Sequence, residues 1–200
     1  MKQWIFVGAL ALLAATAFAG HHEKGEATVD AAMDEAAAMQ AMAAAATPGD
    51  AHAKLAKGVG SFKASMAFFM EPGGDPLVSQ MSVERTMDLN GRVMNESWKG
   101  QVMGAPFEGR GRTGFDNVTQ KYWSTWTDNM STGLLVMHGA WDADEEAMVL
   151  HGESTHPVTG KTYKTRAVGK YLPEGKESMV MYEDHGEGEY KSMTFTLEPK

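Results

Sequence analysis

Residues 83–98 read VERTMDLNGRVMNESW, and this stretch decides the fold. Asn90-Gly91 stands between two segments whose apolar and polar side chains alternate, which is the strongest short-range signal for a β-hairpin with a two-residue type I′ loop. A loop centred on these two residues predicts three facing pairs: Met87 with Met94, Val83 with Trp98, and Arg85 with Glu96. Because side chains alternate between the two faces of a strand, all six lie on the same face.

That face carries methionine, valine and tryptophan, so we expect it to point into the core. The opposite face is polar, as a solvent face should be, and carries Glu84, Thr86, Asp88, Asn95 and Lys99. Charged side chains aimed inward are costly unless they are paired or solvated. Arg85 and Glu96 are therefore the first candidates for a functional site.

A second turn is predicted at Asp116-Asn117, because both residue types tolerate the positive φ angles of tight turns. One face of the flanking strands is aromatic and glycine-rich, with Phe107, Gly109, Gly111, Thr113 and Phe115 across from Tyr122, Ser124 and Trp126. Glycines across from large rings let those rings lie over bare backbone. The basic residues Arg110, Arg112 and Lys121 fall on the outer face.

The same alternation extends from Phe62 to the C-terminus, with turn signals recurring at about ten-residue spacing. Roughly ten strands are predicted, at about 61–69, 79–89, 92–103, 106–115, 119–128, 133–141, 147–153, 162–171, 177–184 and 189–197. Since no long helical pattern interrupts them, we expect an all-β protein that closes as an up-and-down antiparallel barrel. A sandwich is the alternative, although it usually needs longer connections between its sheets.

The N-terminal residues have a different character. Residues 1–19 combine a positive start, an apolar run and the small-residue pattern Ala17-Phe18-Ala19, which predicts a secretory signal peptide. The apolar run is shorter than the roughly 20 residues that a membrane span needs. The chain has no cysteine, so we expect neither a lipid anchor nor disulfides. The mature protein is thus expected in the periplasm or outside the cell, without a membrane anchor.

Two helices are predicted between the signal peptide and the barrel. An Ala/Met-rich run that begins at Asp30 as N-cap favours a mobile helical leader or spacer. A short helix capped by Asp50 follows, with Leu55 and Val59 on one face, and we expect it to plug one end of the barrel. The expected organisation is a signal peptide at 1–19, the leader at 20–49 and a β-barrel domain at 50–200.

Charge and motifs exclude several classes of function. The chain has 18 Lys and Arg against 26 Asp and Glu, a formal charge of −8. Nucleic acids and anionic membrane surfaces require a basic protein surface, so neither is expected as a partner. No G-x-S-x-G, P-loop or H-E-x-x-H pattern occurs. The sequence therefore assigns no catalytic residue.

The stretch around the second turn resembles a known family. Gly114-Phe115-Asp116-Asn117 begins a run similar to the GYDN-x-T-x-KY-x-x-TW-x-D-x-x-ST signature of the bacterial domain of unknown function 1579. The later matching positions are Thr119, Lys121, Tyr122, Thr125, Trp126, Asp128, Ser131 and Thr132. Pro106-Phe107-Glu108-Gly109 is similar to the family's PFEG strand.

The resemblance also includes the family's entry helix and covers about residues 48–197. His52, Leu55 and Gly60 match that helix, whereas Phe62 stands where the family usually has tryptophan. The resemblance implies a lipocalin-like, calycin-type barrel. The resemblance implies no settled activity, so it supports a prediction of the fold and not of the function.

The residues that we expect to bind a ligand are Arg85, Glu96, Trp98, Tyr122 and Trp126. A bidentate arginine suits a carboxylate or another polar head. The apolar body of the ligand would lie along the aromatic rings and the interior methionines, whose flexible thioethers adapt to varied shapes. This predicts a non-catalytic protein that binds a small, largely apolar or amphipathic molecule. A purely structural ion pair and an enzyme of the lyase, isomerase or hydrolase class in the same cavity remain the alternatives.

Histidines provide two candidate metal sites. His138 and His151 lie on strands joined by a charged turn at residues 142–146, and one register sets them side by side, near Glu153 and His156; a register shifted by one residue separates their faces. The second site depends on cleavage after Ala19. The new terminus Gly20-His21-His22 would then offer four nitrogens in a square plane, which Cu(II) prefers. A periplasmic copper-handling protein is the third functional hypothesis.

Overall fold

The computed structural model describes residues 35–200, where two α-helices precede ten β-strands. The helices are α1 (Glu35–Ala46) and α2 (Asp50–Ala56). The strands are β1 (Gly60–Phe68), β2 (Leu77–Asp88), β3 (Val93–Val102), β4 (Ala105–Asp116), β5 (Lys121–Asp128), β6 (Leu135–Asp142), β7 (Ala147–Thr155), β8 (Thr162–Tyr171), β9 (Glu177–Asp184) and β10 (Glu189–Pro199). A 3-10 turn, Pro173–Gly175, connects β8 with β9.

The strands form a closed barrel. Each strand pairs antiparallel with its neighbours along the chain, and β1 also pairs with β10. The predicted all-β up-and-down barrel is confirmed and the sandwich is excluded. Closure leaves no free sheet edge. Two clusters of buried apolar side chains fill the interior, one around Phe62, Trp98 and Phe195, the other around Leu55 and Tyr122.

The pairing predicted for the first hairpin is confirmed, but its loop is longer than predicted. Met87 faces Met94, Val83 faces Trp98, and Arg85 faces Glu96. Asp88 pairs with Val93, so the loop comprises residues 89–92 rather than Asn90-Gly91 alone. Three successive residues of the loop have positive φ, namely Leu89 (48°), Asn90 (55°) and Gly91 (85°). The loop gains one residue on each side of the predicted turn, which leaves the register unchanged.

The pairing of the second hairpin is also confirmed, with its loop at residues 117–120. Asp116 ends β4, and the positive φ of this loop is at Gln120 (55°) rather than at Asp116 or Asn117. Phe115 faces Tyr122, Thr113 faces Ser124, and Gly111 faces Trp126. The Trp126 ring lies over Gly109 rather than over Gly111, its direct partner in the ladder. A Cβ on Gly109 would come within 2.4 Å of this ring. Arg110, Arg112 and Lys121 are exposed on the outside, as expected.

Helix α2 buries Leu55 completely against the cluster that contains Tyr122, in agreement with the expected plug. Its cap differs from the prediction. Gly49 is the N-cap, and its backbone N–H donates to Nδ1 of His52 at 3.1 Å. Asp50 is instead the first helical residue. The helix ends at Ala56, so the predicted apolar pair with Leu55 is wrong, because Val59 lies beyond the helix and is 41 % exposed.

Helix α1 is exposed along its length, which agrees with the weak apolar face of the predicted leader. Its C-terminal carbonyls are bound by side chains from two barrel loops. Arg92 donates to the carbonyl of Ala46 through Nε and Nη2, at 3.1 and 2.6 Å. Nδ2 of Asn117 lies 3.2, 3.2 and 2.7 Å from the carbonyl oxygens of Ala44, Ala45 and Thr47.

The predicted signal peptide and the first part of the leader, including Asp30, lie outside the described residues. In the part of the chain that the structure describes, neither helix has the length and the apolar character needed to cross a membrane.

Candidate functional site

Three charged side chains meet inside the barrel. Arg85 of β2 donates through Nε to Glu96 of β3 at 2.9 Å and through Nη1 to Glu177, the first residue of β9, at 2.5 Å. The side chains are 9, 14 and 12 % exposed, respectively. The guanidinium carbon also lies 5.5 Å from the centre of the Phe62 ring. We refer to Arg85, Glu96 and Glu177 as the ion triad.

Each member of the triad is held by a strand register. Arg85 and Glu96 face each other in the β2–β3 ladder. Glu177 lies opposite Tyr171 of β8 and Leu197 of β10, two positions before Met179 on the inward face of β9. Gly111 makes room for the glutamate, because a Cβ there would lie 2.3 Å from Oε1 of Glu96.

Burial and charge act in opposite directions on the protonation of the triad. Burial by itself would lower the pKa of Arg85, but the neighbouring charges of Glu96 and Glu177 outweigh it and raise that pKa above its usual value. Burial raises the pKa of Glu177, and the charge of Glu96 raises it further. Arg85 lowers this pKa but only partly offsets the increase. The Arg85 guanidinium therefore stays charged, whereas ionisation of the Glu177 carboxylate in this buried position costs free energy.

The triad borders a partly open cavity of about 120 Å³. Its polar lining includes the three triad residues, Thr113, Ser124 and Tyr171. Its apolar lining includes Leu55 of α2, Trp98 and three methionines, Met94, Met148 and Met179. We call this space the triad cavity. It combines a buried charged wall with flexible apolar walls.

Trp98 is the most informative residue of the lining. The residue is 2 % exposed, and its rings pack edge-on against Trp126 and Phe195 with centroids 6.0 and 5.5 Å apart. Its Nε1–H is buried and has no hydrogen-bond partner among the described residues. A buried donor that lacks an acceptor costs about 1 to 3 kcal/mol. Trp98 borders the triad cavity, so an acceptor that reached this N–H from the cavity would relieve the penalty.

Tyr171 and the segment after α2 complete the wall beside Glu177. Burial, reinforced by the charge of Glu177, raises the pKa of Tyr171 to about 12. The ring stacks on Trp141 with centroids 6.4 Å apart. Gly58 lies so close that a Cβ on it would be 3.2 Å from Oε1 of Glu177 and 3.4 Å from the Tyr171 hydroxyl. The backbone beyond α2 therefore packs directly against the triad.

The structure brings together three of the five residues expected to bind a ligand. Arg85, Glu96 and Trp98 border the triad cavity, whereas Tyr122 and Trp126 do not. The Tyr122 hydroxyl lies 3.4 Å from the carbonyl of Ala51 in α2. Trp126 donates from Nε1 to Asp128 at 2.8 Å and stacks on Phe107. These two side chains support the walls of the barrel rather than the cavity.

Sequence reasoning did not select Glu177 and Tyr171. A signal for Glu177 was available, because it shares the inward face of its strand with Met179 and Met181. An acidic residue in phase with two methionines is the same kind of signal that singled out Arg85. The sequence gives no such signal for Tyr171, because it is the last residue of its strand, and such a residue is often half exposed.

Of the two registers that the sequence leaves open for the strand histidines, the structure has the one that sets them side by side. His138 of β6 pairs directly with His151 of β7, and both are exposed. Within residues 35–200, no group of three or more metal-ligating side chains forms. His156 instead accepts backbone N–H groups of its own turn at Nδ1. The candidate copper ligands Gly20, His21 and His22 lie outside the described residues.

A larger depression of about 340 Å³ lies between exposed and half-buried charged side chains of β7, β8, β9 and β10. Its central cation, Arg166, is paired with Glu189 and lies over the Tyr182 ring at 4.1 Å. These groups satisfy one another and remain in contact with water. The charged side chains of the triad are more deeply buried than Arg166 and Glu189, and burial strengthens polar interactions.

Comparison with known proteins identifies one family. A family model described as a protein of unknown function (DUF1579) matches residues 47–198, which confirms the resemblance indicated by the signature around the second turn, the strand segment at residues 106–109 and the entry helix. The search of curated proteins found no match.

Proposed function

The chain belongs to the DUF1579 family of proteins of unknown function, and on this premise we propose that it is a non-catalytic binding protein. Its ligand is one small, largely apolar or amphipathic molecule held in the triad cavity. The observation that carries the proposal is Trp98, a residue that borders this cavity and whose buried Nε1–H finds no acceptor in residues 35–200. A bound molecule would supply that acceptor.

The size of the triad cavity supports a small ligand. At about 120 Å³ it is somewhat smaller than a cavity of about 150 Å³ that binds benzene in another protein. A molecule with a ring or a short chain and one polar end matches this volume. Met94, Met148 and Met179 border the space, and their unbranched side chains permit it to enlarge with little strain.

An enzymatic role is the second candidate, and one observation favours it. The pKa of Glu177 is raised, chiefly by burial, and a carboxyl group that retains its proton is suited to act as a general acid. However, Arg85 forms ion pairs with both carboxylates, and these pairs favour the ionised form of each, which cannot donate a proton. Under this alternative, Glu177→Gln abolishes turnover of a substrate that still binds with unchanged affinity; under the binding proposal no turnover exists to be lost.

Export is part of the proposal, because a ligand carrier outside the cytoplasm fits the signal-like N-terminus. The support is the sequence pattern of residues 1–19. N-terminal sequencing of the protein from cell fractions tests it. A periplasmic or secreted chain beginning at Gly20 supports export, and a chain in the cytoplasm that retains residues 1–19 contradicts it.

Native mass spectrometry of the protein purified from its own organism tests the binding role. We expect a one-to-one adduct of small mass that disappears on denaturation. Gly169 borders the triad cavity, and no described atom lies within 4 Å of a Cβ built on it. Gly169→Leu should therefore fill the cavity and remove the adduct.

Thr162→Leu is the matched control, since Thr162 is on the same strand but exposed. It should keep the adduct. An adduct that persists in Gly169→Leu, or its absence from the wild type, contradicts binding in this cavity.

A further inference from the structure

The two carboxylates around Arg85 lead to a statement about the ligand's chemistry. We infer that the molecule in the triad cavity is a small organic amine, bound as the protonated cation by Glu96 and Glu177. This inference rests on the proposed function and names the class of its ligand. It departs from the expectation that Arg85 anchors a carboxylate.

The charge count in the cavity wall is the first argument. One guanidinium faces two carboxylates, which leaves one formal negative charge in a buried group. Lys170 also borders the cavity, but its ammonium lies 3.8 Å from Glu145 and the side chain is 38 % exposed. A second cation inside the cavity would balance the triad, because buried charges are stable only when they are paired.

The geometry of Arg85 is the second argument, since it disfavours an anionic ligand. Its Nε and Nη1 already donate to two different glutamates. A carboxylate ligand would be a third anion around one guanidinium, and it would lie close to both existing carboxylates. At such distances the repulsion between buried like charges is large. An ammonium group in the same space would attract both glutamates.

The protonation of Glu177 supports the same conclusion. Its pKa is raised because it is buried and lies close to Glu96, against the opposing influence of Arg85. Burial, the main cause, and the charge of Glu96 both disfavour the ionised carboxylate, and a neighbouring cation would oppose both. An ammonium group supplies the missing charge.

Trp98 adds a requirement at a second point of the ligand. Its Nε1–H needs an acceptor, which a protonated amine does not provide. A hydroxyl, ether or carbonyl oxygen on the same molecule would accept this bond, and an aromatic ring would do so more weakly. The ligand class is therefore a compact amine with an apolar body and a weakly accepting group.

Titration of the whole protein with matched probes tests this inference. The probes are benzylamine, benzyl alcohol and benzoate, together with n-butylamine, n-butanol and butyrate. The benzyl body carries a ring that can accept weakly from Trp98, whereas the butyl body has no acceptor and tests the head group alone. Binding is followed at neutral pH through the indole N–H signal of Trp98 in NMR spectra, assigned with Trp98→Phe. We expect the amine of at least one body to bind ten-fold or more tighter than its alcohol, with the carboxylate weakest.

Glu177→Gln should reduce the affinity for that amine at least ten-fold, because it removes one of the two carboxylates while keeping the shape of the side chain. Glu84→Gln is the control, since Glu84 is exposed beside Arg85 on the outer face and should leave the affinity unchanged. Unaltered amine binding in Glu177→Gln would overturn the inference.

The outcomes separate the inference from the proposed function. A carboxylate or alcohol that shifts the Trp98 signal and binds as tightly as the amine overturns the amine assignment but upholds the cavity as a binding site. Failure of all six probes to bind also overturns the amine assignment. The native adduct and its loss in Gly169→Leu then decide the proposed function independently.

Discussion

Arg85 is the residue on which the polar interior depends, because it is the cation shared by two buried glutamates. Such a triad is not in itself evidence of stability, since desolvation of three charges offsets much of their attraction. Removal of one member should destabilise the fold, because the remaining charges stay buried without a partner of opposite sign. The triad therefore makes the fold sensitive to single substitutions at this point.

Arg85→Met is expected to lower the free energy of unfolding by about 3 to 5 kcal/mol, the usual cost of breaking a buried ion pair from one side. Replacement of all three triad residues by methionine should recover most of this loss, because no unpaired charge remains. Urea denaturation at neutral pH measures both. A single variant as stable as the wild type, or a triple variant no better than the single one, would contradict the account of the triad.

Stability should also vary with pH through Glu177. Its pKa in the folded protein is raised above the ordinary 4.5, so the folded state holds this proton more tightly than the unfolded chain. The contribution of this proton to the free energy of unfolding is complete below the ordinary pKa and is lost as pH rises through the folded-state pKa. Glu177→Gln removes this dependence, so the free energy of unfolding of the variant should increase relative to that of the wild type as pH rises above about 4.5.

Urea denaturation of both proteins across this pH range checks the sign. Glu153→Gln, at an exposed position of β7, is the matched control for the change of residue type. A difference for Glu177→Gln that falls with rising pH would show that the buried carboxylate is stabilised rather than destabilised by its surroundings.

At the residue scale, the sequence predicts one half of the triad. The Arg85–Glu96 pair follows from a local hairpin, whose register is specified by the turn and the alternation on both sides. Glu177 reaches Arg85 from a strand far along the chain. That approach depends on barrel closure and on side-chain conformation, neither of which a local pattern specifies.

Strand glycines control how closely neighbouring elements approach. Gly139 of β6 lies against the backbone of β7, where a Cβ would come within 1.9 Å of the Val149 carbonyl oxygen and 2.8 Å of the Leu150 Cα. Backbone atoms cannot move aside as a side chain can. Gly169 of β8 is the opposite case, since it borders the triad cavity and no described atom would contact its Cβ.

Gly139→Ala should therefore destabilise the barrel by about 3 kcal/mol or more, through overpacking. Gly169→Ala should be neutral or stabilise the barrel by about 0.5 to 1 kcal/mol, because alanine loses less backbone entropy on folding. Thermal and urea denaturation of the two variants give the comparison. Equal effects would mean that the spacing of β6 and β7 is not set by Gly139.

Helix α1 depends on side chains supplied by the loops of the barrel. Its apolar face is too weak to hold it, and Arg92 and Asn117 instead bind its last carbonyls. Asn117 belongs to the turn that carries the family signature, but its function as a helix C-cap is not visible in the sequence. The partner carbonyls come from backbone about 70 residues earlier in the chain and leave no side-chain pattern there.

Asn117→Ala should loosen α1 without affecting the barrel. Loss of these bonds removes about 1 kcal/mol of local stability, so amide hydrogen exchange in residues 39–46 should become about five-fold faster. Asn95→Ala is the control, because Asn95 bonds only within the barrel, to Asp88 and Arg112. Unchanged exchange in α1 would mean that Arg92 alone anchors the helix.

At the scale of elements, strand positions follow from the sequence better than helix caps do. The alternation predicts all ten strands because the inner and outer faces differ sharply in polarity. The cap of α2 was assigned to Asp50, whereas Gly49 occupies it with His52 as its side-chain partner. Adjacent residues compete for a cap, and tertiary contacts decide between them; here the His52 ring also packs edge-on against Phe115 at 5.9 Å.

The molecule as a whole combines a filled barrel with one polar, incompletely filled interior space. Most of the interior is occupied by the two apolar clusters, so the triad cavity is what remains where charged side chains replace apolar ones. Sequence patterns predict that the barrel closes. They do not predict the volume left inside, because a cavity of about 120 Å³ depends on the conformations of individual methionines and rings.

The central claim is that the triad cavity is a binding site, and a high-resolution crystal structure of the protein as purified from its own organism tests it most directly. We predict continuous electron density for one non-water molecule in this cavity, with an acceptor within hydrogen-bond distance of Nε1 of Trp98 and a polar group at Glu177. A cavity occupied by separate water molecules that hydrogen-bond to Trp98 and the triad, or one closed by its methionines, would contradict the claim.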